Sequence, residues 1–153
     1  MIKISNHDEF ATYLGKELGI SSWYQITQEQ INKFADATLD HQWIHTDAEK
    51  AATDSPFKKT IAHGYLTLSL LPYLWQQIIK IENLKMEINY GVENLKFGQA
   101  VTVDSEVRLV AKLKSIINLR GVTKVVLDAT LEINGQSKPA FTGDVVFLYH
   151  FIN

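Results

Sequence analysis

Residues 64–80 read GYLTLSLLPYLWQQIIK, and this stretch decides the fold class. Leu66, Leu68, Leu70, Leu71, Leu74, Trp75, Ile78 and Ile79 occupy most of a helical wheel. A surface helix keeps its apolar residues to one stripe, so this pattern predicts a helix buried on nearly all sides. Pro72 lies well inside it. Its ring lacks an N–H and crowds the preceding turn, which predicts a kink. The wider run from Ile61 to Ile81 is interrupted by His63, Gln76, Gln77 and Lys80, so it does not suit a membrane span.

Beyond Asn83 the apolar period changes from helical to two. Val101, Val103, Val107 and Leu109 alternate with Thr102, Asp104, Glu106 and Arg108, and a second alternation runs from Thr123 to Ile133. Asn134-Gly135 is a hairpin-turn signal, and Phe141, Val145, Phe147, Tyr149 and Phe151 mark the returning strand. Lys85 to Lys96 is predicted as another strand, bent near Gly91. Strands with one apolar face need a cover. The helix around Leu66 to Ile79 is the only element apolar enough to supply it. The expected class is α+β, a curved antiparallel sheet wrapped around one long buried central helix.

The first half is helical. Phe10, Leu14 and Leu18, followed by Gly19, predict a short amphipathic helix closed by a left-handed glycine. Trp23 to Ile26 reads as a short strand. Thr27-Gln28-Glu29-Gln30 reads as a capping box, with Gln30 reaching back, and opens a helix over 28–38 through Ile31, Phe34, Ala35 and Thr38. Thr46-Asp47-Ala48-Glu49 reads as a second capping box, opening a helix through about Ala52.

At 153 residues the chain is expected to form one domain, 1–153, with a sizeable core. Charged residues are 21% and the formal net charge is -2, so nothing favours nucleic acid or an anionic membrane as partner. There are no cysteines, which excludes disulfides, thiolate catalysis and Cys-ligated metals. The N-terminus has no signal-peptide apolar region, and a cytoplasmic protein is expected.

Chemistry concentrates in Asp40-His41-Gln42-Trp43-Ile44-His45. A carboxylate and an imidazole sharing one pocket can share one water and move protons near neutral pH. On a helix residues five apart point about 140° from each other, and on a strand they face opposite sides. Asp40 and His45 therefore converge only if the chain between them leaves regular structure. The segment is expected to be a loop, with Asp40 just past one helix and His45 just before the next. Trp43 and Ile44 pull it toward the core. The alternative is a pair of polar residues on a surface loop. A second cluster, Thr60-Ile61-Ala62-His63-Gly64, leads into the apolar helix. The first N–H groups of a helix have no internal partner and carry the positive end of its dipole. Gly64 there lets a ligand approach the main chain. Equally, Gly64 eases a tight turn and His63 is a capping or core histidine.

Thr38 to His45, Ala48 to Ala52, and Ile61-Ala62-His63-Gly64-Tyr65-Leu66 together resemble the MaoC-like dehydratase family, nearest the branch named after the nodulation protein NodN. The resemblance extends from about Tyr24 to Phe151. It implies the hot-dog fold and the activity of an (R)-specific enoyl-CoA hydratase, adding water reversibly across a trans-2-enoyl thioester carried by CoA or an acyl carrier protein. It implies Asp40 and His45 as the catalytic dyad and Gly64, Gln42 and His63 as oxyanion-hole or substrate-binding residues. The thioester oxygen would meet the Gly64 N–H, and Gln42 would orient Asp40 or the water. No cofactor and no metal are implied, and the assembly would be at least a homodimer. Two positions depart from the family pattern. Leu39 stands where a glycine usually precedes the Asp, and since leucine adopts positive φ only at a cost, the loop is expected to follow a different path. Gln42-Trp43 replaces the common Asn-Pro. Three other readings stay open. A thioesterase is disfavoured by the lack of Asp or Glu in residues 64–80. A zinc site would use Asp40, His41, His45 and His63. A non-catalytic acyl-binding protein would keep the pocket without turnover. Arg108, Lys112, Lys114 and Arg120 are candidates for CoA phosphates, or are simply solvated.

Overall fold

The computed structural model describes residues 1–152. Its elements run β1 (Ile2–Ile4), α1 (His7–Ala11), β2 (Glu17–Ile20), β3 (Tyr24–Gln25), α2 (Gln28–Thr38), α3 (Trp43–Thr46), α4 (Ala48–Asp54), α5 (Gly64–Ser69), α6 (Leu71–Ile78), β4 (Ile79–Ile81), β5 (Leu84–Phe97), β6 (Glu106–Leu119), β7 (Val122–Ile133) and β8 (Phe141–Phe151). The main sheet is antiparallel in the order β2-β6-β7-β8-β5, with β3 also paired to β6. β1 and β4 form a small parallel pair.

The alternation of β6, β7 and β8 puts Leu109, Leu113, Leu127, Leu131, Phe141 and Phe147 on one face, all buried. Leu71, Leu74, Trp75 and Ile78 of α6 cover that face in one cluster. Burying a side chain of this size contributes about 1.5–3 kcal/mol. The α+β expectation, with the sheet around a central helix, holds, and the fold is the hot-dog. The helix breaks at Leu70 into α5 and α6, though Leu70 N–H still donates to Leu66 O and Leu74 N–H to Leu70 O, both at 3.1 Å. Pro72 falls in the first turn of α6, where its missing N–H costs no helical bond. The helix is not buried all round: Tyr65, Ser69, Tyr73 and Gln76 form an exposed stripe. It also ends two residues earlier than expected, because Ile79 and Lys80 pair with Ile2 and Lys3.

Other boundaries also differ. The first helix stops at Ala11, and Leu18 and Gly19 belong to β2. Glycine suits position 19, where φ is 147° and a Cβ would stand 3.1 Å from the Ile78 side chain. Thr27 caps α2 through its hydroxyl, but Gln30 does not complete the box, and its Oε1 has no partner. The cap of α4 is Asp47 rather than Thr46, which closes α3 instead. The strand expected from Val101 begins only at Glu106, because Asp104 has φ 68°. The tight hairpin is at Arg120-Gly121, where both residues have positive φ (52° and 96°) as a two-residue turn demands. Asn134-Gly135 instead opens the longer connection to Phe141. β5 bends as expected, with a register shift between Asn89 and Gly91.

Candidate active site

The C-terminus of α2, the one-turn α3 and the start of α5 meet at one point. Leu39 ends α2 in the left-handed region, φ 64° and ψ 21°. Leu39 adopts this strained conformation without being glycine, and the residue is 81% exposed. That turn delivers Asp40. His45 lies just ahead of α4, as expected, but within the one-turn α3, so the two residues converge across a loop and a single helical turn. One ligand-capable atom from each of Asp40, His45 and His63 lies within 4.8 Å of the others, a span that one water bridges.

His45 is 8% exposed and His63 2% exposed, whereas the Asp40 side chain is half open at 52%. His45 Nδ1 donates to the Ile61 carbonyl at 2.7 Å. That commitment leaves Nε2 with the free lone pair. Burial pushes the His45 pKa below 6.5; the Ile61 bond opposes this, His63 adds to it, and Asp40 opposes it. The ring is therefore neutral near pH 7, as a general base requires. His63 Nε2 donates to the main-chain oxygen of Asp40 at 3.0 Å and stands 3.9 Å from its Oδ2. Its ring stacks on His45 and packs against Phe34, and its Nδ1 has no partner.

The expected residues are thus not equally placed. Asp40, His45 and His63 come together. Gly64 follows His63, and no described acceptor takes its N–H. A recess of about 200 Å³ opens beside it, lined by Ile61, Ala62, Thr67, Phe97 and Val101. A Cβ on Gly64 would stand 3.0 Å from the Phe97 ring. Gln42 is different: its backbone N–H, not its amide, meets Asp40 Oδ1, at 3.4 Å. His63 is the N-cap residue of α5, its carbonyl accepting from the Leu66 and Thr67 N–H groups, but its side chain makes no capping bond. His41 is turned away and pairs with Asp36 at 2.9 Å, which removes it from the four-donor zinc set. Asp40, His45 and His63 remain, three donors close enough to share one water or one ion. The candidate phosphate ligands lie elsewhere: Arg108 pairs with Glu132 and covers Trp23, and Lys114 pairs with Asp144.

Two groups at the site were not legible in the sequence. The Ile61 carbonyl is main chain and leaves no residue signature. Gln28 sits in the first turn of α2, where its helical position looks ordinary, yet its amide reaches the His45 carbonyl.

These geometric features define a dehydratase-like hot-dog protein. Residues 9–134 match the MaoC like domain, and the chain belongs to that family. It is 42% identical over 142 residues to 3-hydroxyacyl-thioester dehydratase Z of Mycobacterium tuberculosis, covering 92% of this chain and 93% of the relative. It is 41% identical to Nodulation protein N of Rhizobium leguminosarum bv. viciae, covering 90% and 87%. Among solved structures, the (R)-hydratase from A. caviae involved in PHA biosynthesis superposes with a TM-score of 0.69 at 24% identity, covering 88% and 94%. No helix among the described residues is long and apolar enough to cross a membrane.

Proposed function

We propose that the protein is a hydro-lyase that interconverts a trans-2-enoyl thioester and the (R)-3-hydroxyacyl thioester by adding or removing water. The observation that carries this reading is the convergence of Asp40 and the neutral, Nδ1-anchored His45 within 4.8 Å. Asp40 and His45 hold one water. His45 Nε2 takes its proton as the oxygen attacks C3, and the dyad returns a proton to C2 on the same face. The thioester oxygen accepts from the Gly64 N–H, where enolate charge develops. Gln42 lines the approach to Asp40, and His63 holds the Asp40 peptide. Water is the co-substrate and the thioester is the electron sink, so the residues perform the step without a cofactor. The carrier is CoA or an acyl carrier protein.

We further propose a homodimer. β5 is one edge of the main sheet and exposes Met86, Tyr90, Val92 and Phe97. Sedimentation equilibrium tests this, and a monomer at micromolar concentration refutes it.

The decisive assay is loss of the enoyl-thioester absorbance of crotonyl-CoA. Asp40→Asn and His45→Gln are each expected to lower kcat by about 10²–10⁴-fold with the fold intact. Retained activity in either variant removes the dyad. Release of free thiol favours a thioesterase, and binding without absorbance change favours a non-catalytic acyl-binding protein.

A further inference from the structure

We infer that Gln28 is a positioning residue that fixes the direction of the His45 imidazole from outside the substrate pocket. The inference rests on the hydration reading for its kinetic consequence, but not for its structural one.

His45 sits on α3, which is only four residues long and has no side-chain cap at its start. A single helical turn does not hold itself together. The carbonyl of His45 is among the last in the turn, so it lacks an intrahelical partner. Something else must hold the peptide that carries the ring. Gln28 does so: its Nε2 donates to His45 O at 2.8 Å and also to Asn32 Oδ1 at 3.0 Å. The other end of the same amide accepts from the hydroxyl of Thr60. Thr60 is 1% exposed, so its hydroxyl needs a protein partner. Thr60 immediately precedes Ile61, whose carbonyl fixes the His45 ring through Nδ1. The Ile61 N–H in turn donates to Ile44 O at 3.1 Å.

The bonds close a ring. From the imidazole it runs to Ile61 O, along the chain to Thr60, across to the Gln28 amide, and back to the main chain of His45. Only a primary amide supplies the donor and the acceptor that the two ends need. Methionine has no donor and only a weak acceptor, and ionised glutamate has no donor. Gln28 therefore ties the peptide that carries the base to the peptide that orients it, without touching the base itself. A small error in the placement of a reacting group costs as much as about 10²-fold in rate.

The test uses Gln28→Met, which keeps side-chain length and helix propensity, and the pair Thr60→Val and Thr60→Ser. Two-bond ¹H–¹⁵N correlation spectra of the imidazoles, with His45 assigned by its loss in His45→Gln, report which nitrogen carries the proton. Wild type and Thr60→Ser should show one His45 tautomer, protonated at Nδ1. Gln28→Met and Thr60→Val should show a mixture, with kcat lowered about 10–100-fold and KM changed less than about threefold. A single Nδ1–H tautomer and unchanged kcat in folded Gln28→Met overturn the inference. Should that variant not fold, the Thr60 pair decides on the same readouts. A wild-type protein with no hydration activity would refute the hydratase reading alone, because the tautomer still judges Gln28.

Discussion

The imidazoles of His45 and His63 stack face to face, with ring centroids 3.8 Å apart and planes 22° apart. Two rings this close resist carrying charge together. Burial already disfavours the His45 cation, and His63 adds to that, so the His45 pKa lies below 6.5 in the folded protein. The acid limb of kcat/KM is therefore expected below pH 6.5. Stability follows the same sign. In the unfolded chain the ring takes up its proton near 6.5, before the folded ring does. The unfolded state then binds more protons, so stability is full above that pH and declines as pH falls toward the lower folded value. Urea unfolding of wild type and His45→Gln across this window checks it: the difference between the two should shrink as pH falls. A difference constant with pH would refute the shift.

Leu39 holds φ 64° and is 81% exposed. Left-handed backbone costs a residue with a Cβ about 1–2 kcal/mol, while glycine costs about 0.5–1 kcal/mol more unfolded-state entropy. Since little apolar burial is lost, Leu39→Gly is expected to stabilise the protein by about 0.5–1 kcal/mol in chemical denaturation. Hydration activity should stay within about twofold, because the turn that delivers Asp40 is already formed. A destabilised variant would mean that the leucine side chain supports the loop.

Much of this arrangement is legible in the sequence, for physical reasons. The all-apolar face of Leu71, Leu74, Trp75 and Ile78 and the strict alternation of Thr123 to Ile133 leave few ways to bury both, so the layered fold follows. The boundaries that shifted are those where tertiary contact overrides local pattern. Leu18 reads as helical but joins β2 because β6 offers its edge, and Ile79 leaves the helix because Ile2 pairs with it. Within the site, Asp40 and His45 are recognisable because their residue types are the chemistry. The reach of Gln28 and the Ile61 carbonyl depends on how distant segments pack, which local spacing does not encode. Gln42 carried a role implied by the family resemblance, and here its main chain rather than its amide faces Asp40.

Gly64 separates stability from activity. A Cβ there would press on the Phe97 ring at 3.0 Å, but Phe97 is 46% exposed and has room to yield. Gly64→Ala should therefore change stability by less than about 1 kcal/mol, since alanine also suits a helix better. The displaced ring would intrude on the recess beside the Gly64 N–H, the proposed seat of the thioester oxygen. Alanine keeps the N–H, but blocked access forfeits the contact, and loss of an oxyanion contact costs about 2.7–4 kcal/mol in barrier height, so kcat is expected to fall about 10²-fold or more. Steady-state kinetics alongside thermal unfolding distinguish the two effects. Wild-type kcat in Gly64→Ala would move the oxyanion contact elsewhere.

The far end of the central helix provides the converse case. Trp75 Nε1 donates to the hydroxyl of Tyr149 at 2.8 Å, and both side chains are buried. Burial, with the Glu87 carboxylate nearby, holds the Tyr149 hydroxyl well above its ordinary pKa, so it stays protonated and neutral across the working range. Tyr149→Phe keeps the ring but leaves the Trp75 N–H without an acceptor. A buried donor left unpaired costs about 1–3 kcal/mol, which should appear as a lower urea midpoint with an unchanged slope. Trp75 lies eleven residues beyond Gly64, or about 16 Å along the helix, so kcat below the unfolding transition should match wild type. An unchanged midpoint would mean that the indole finds another acceptor, and a lowered kcat in the folded variant would mean that packing at this end reaches the dyad.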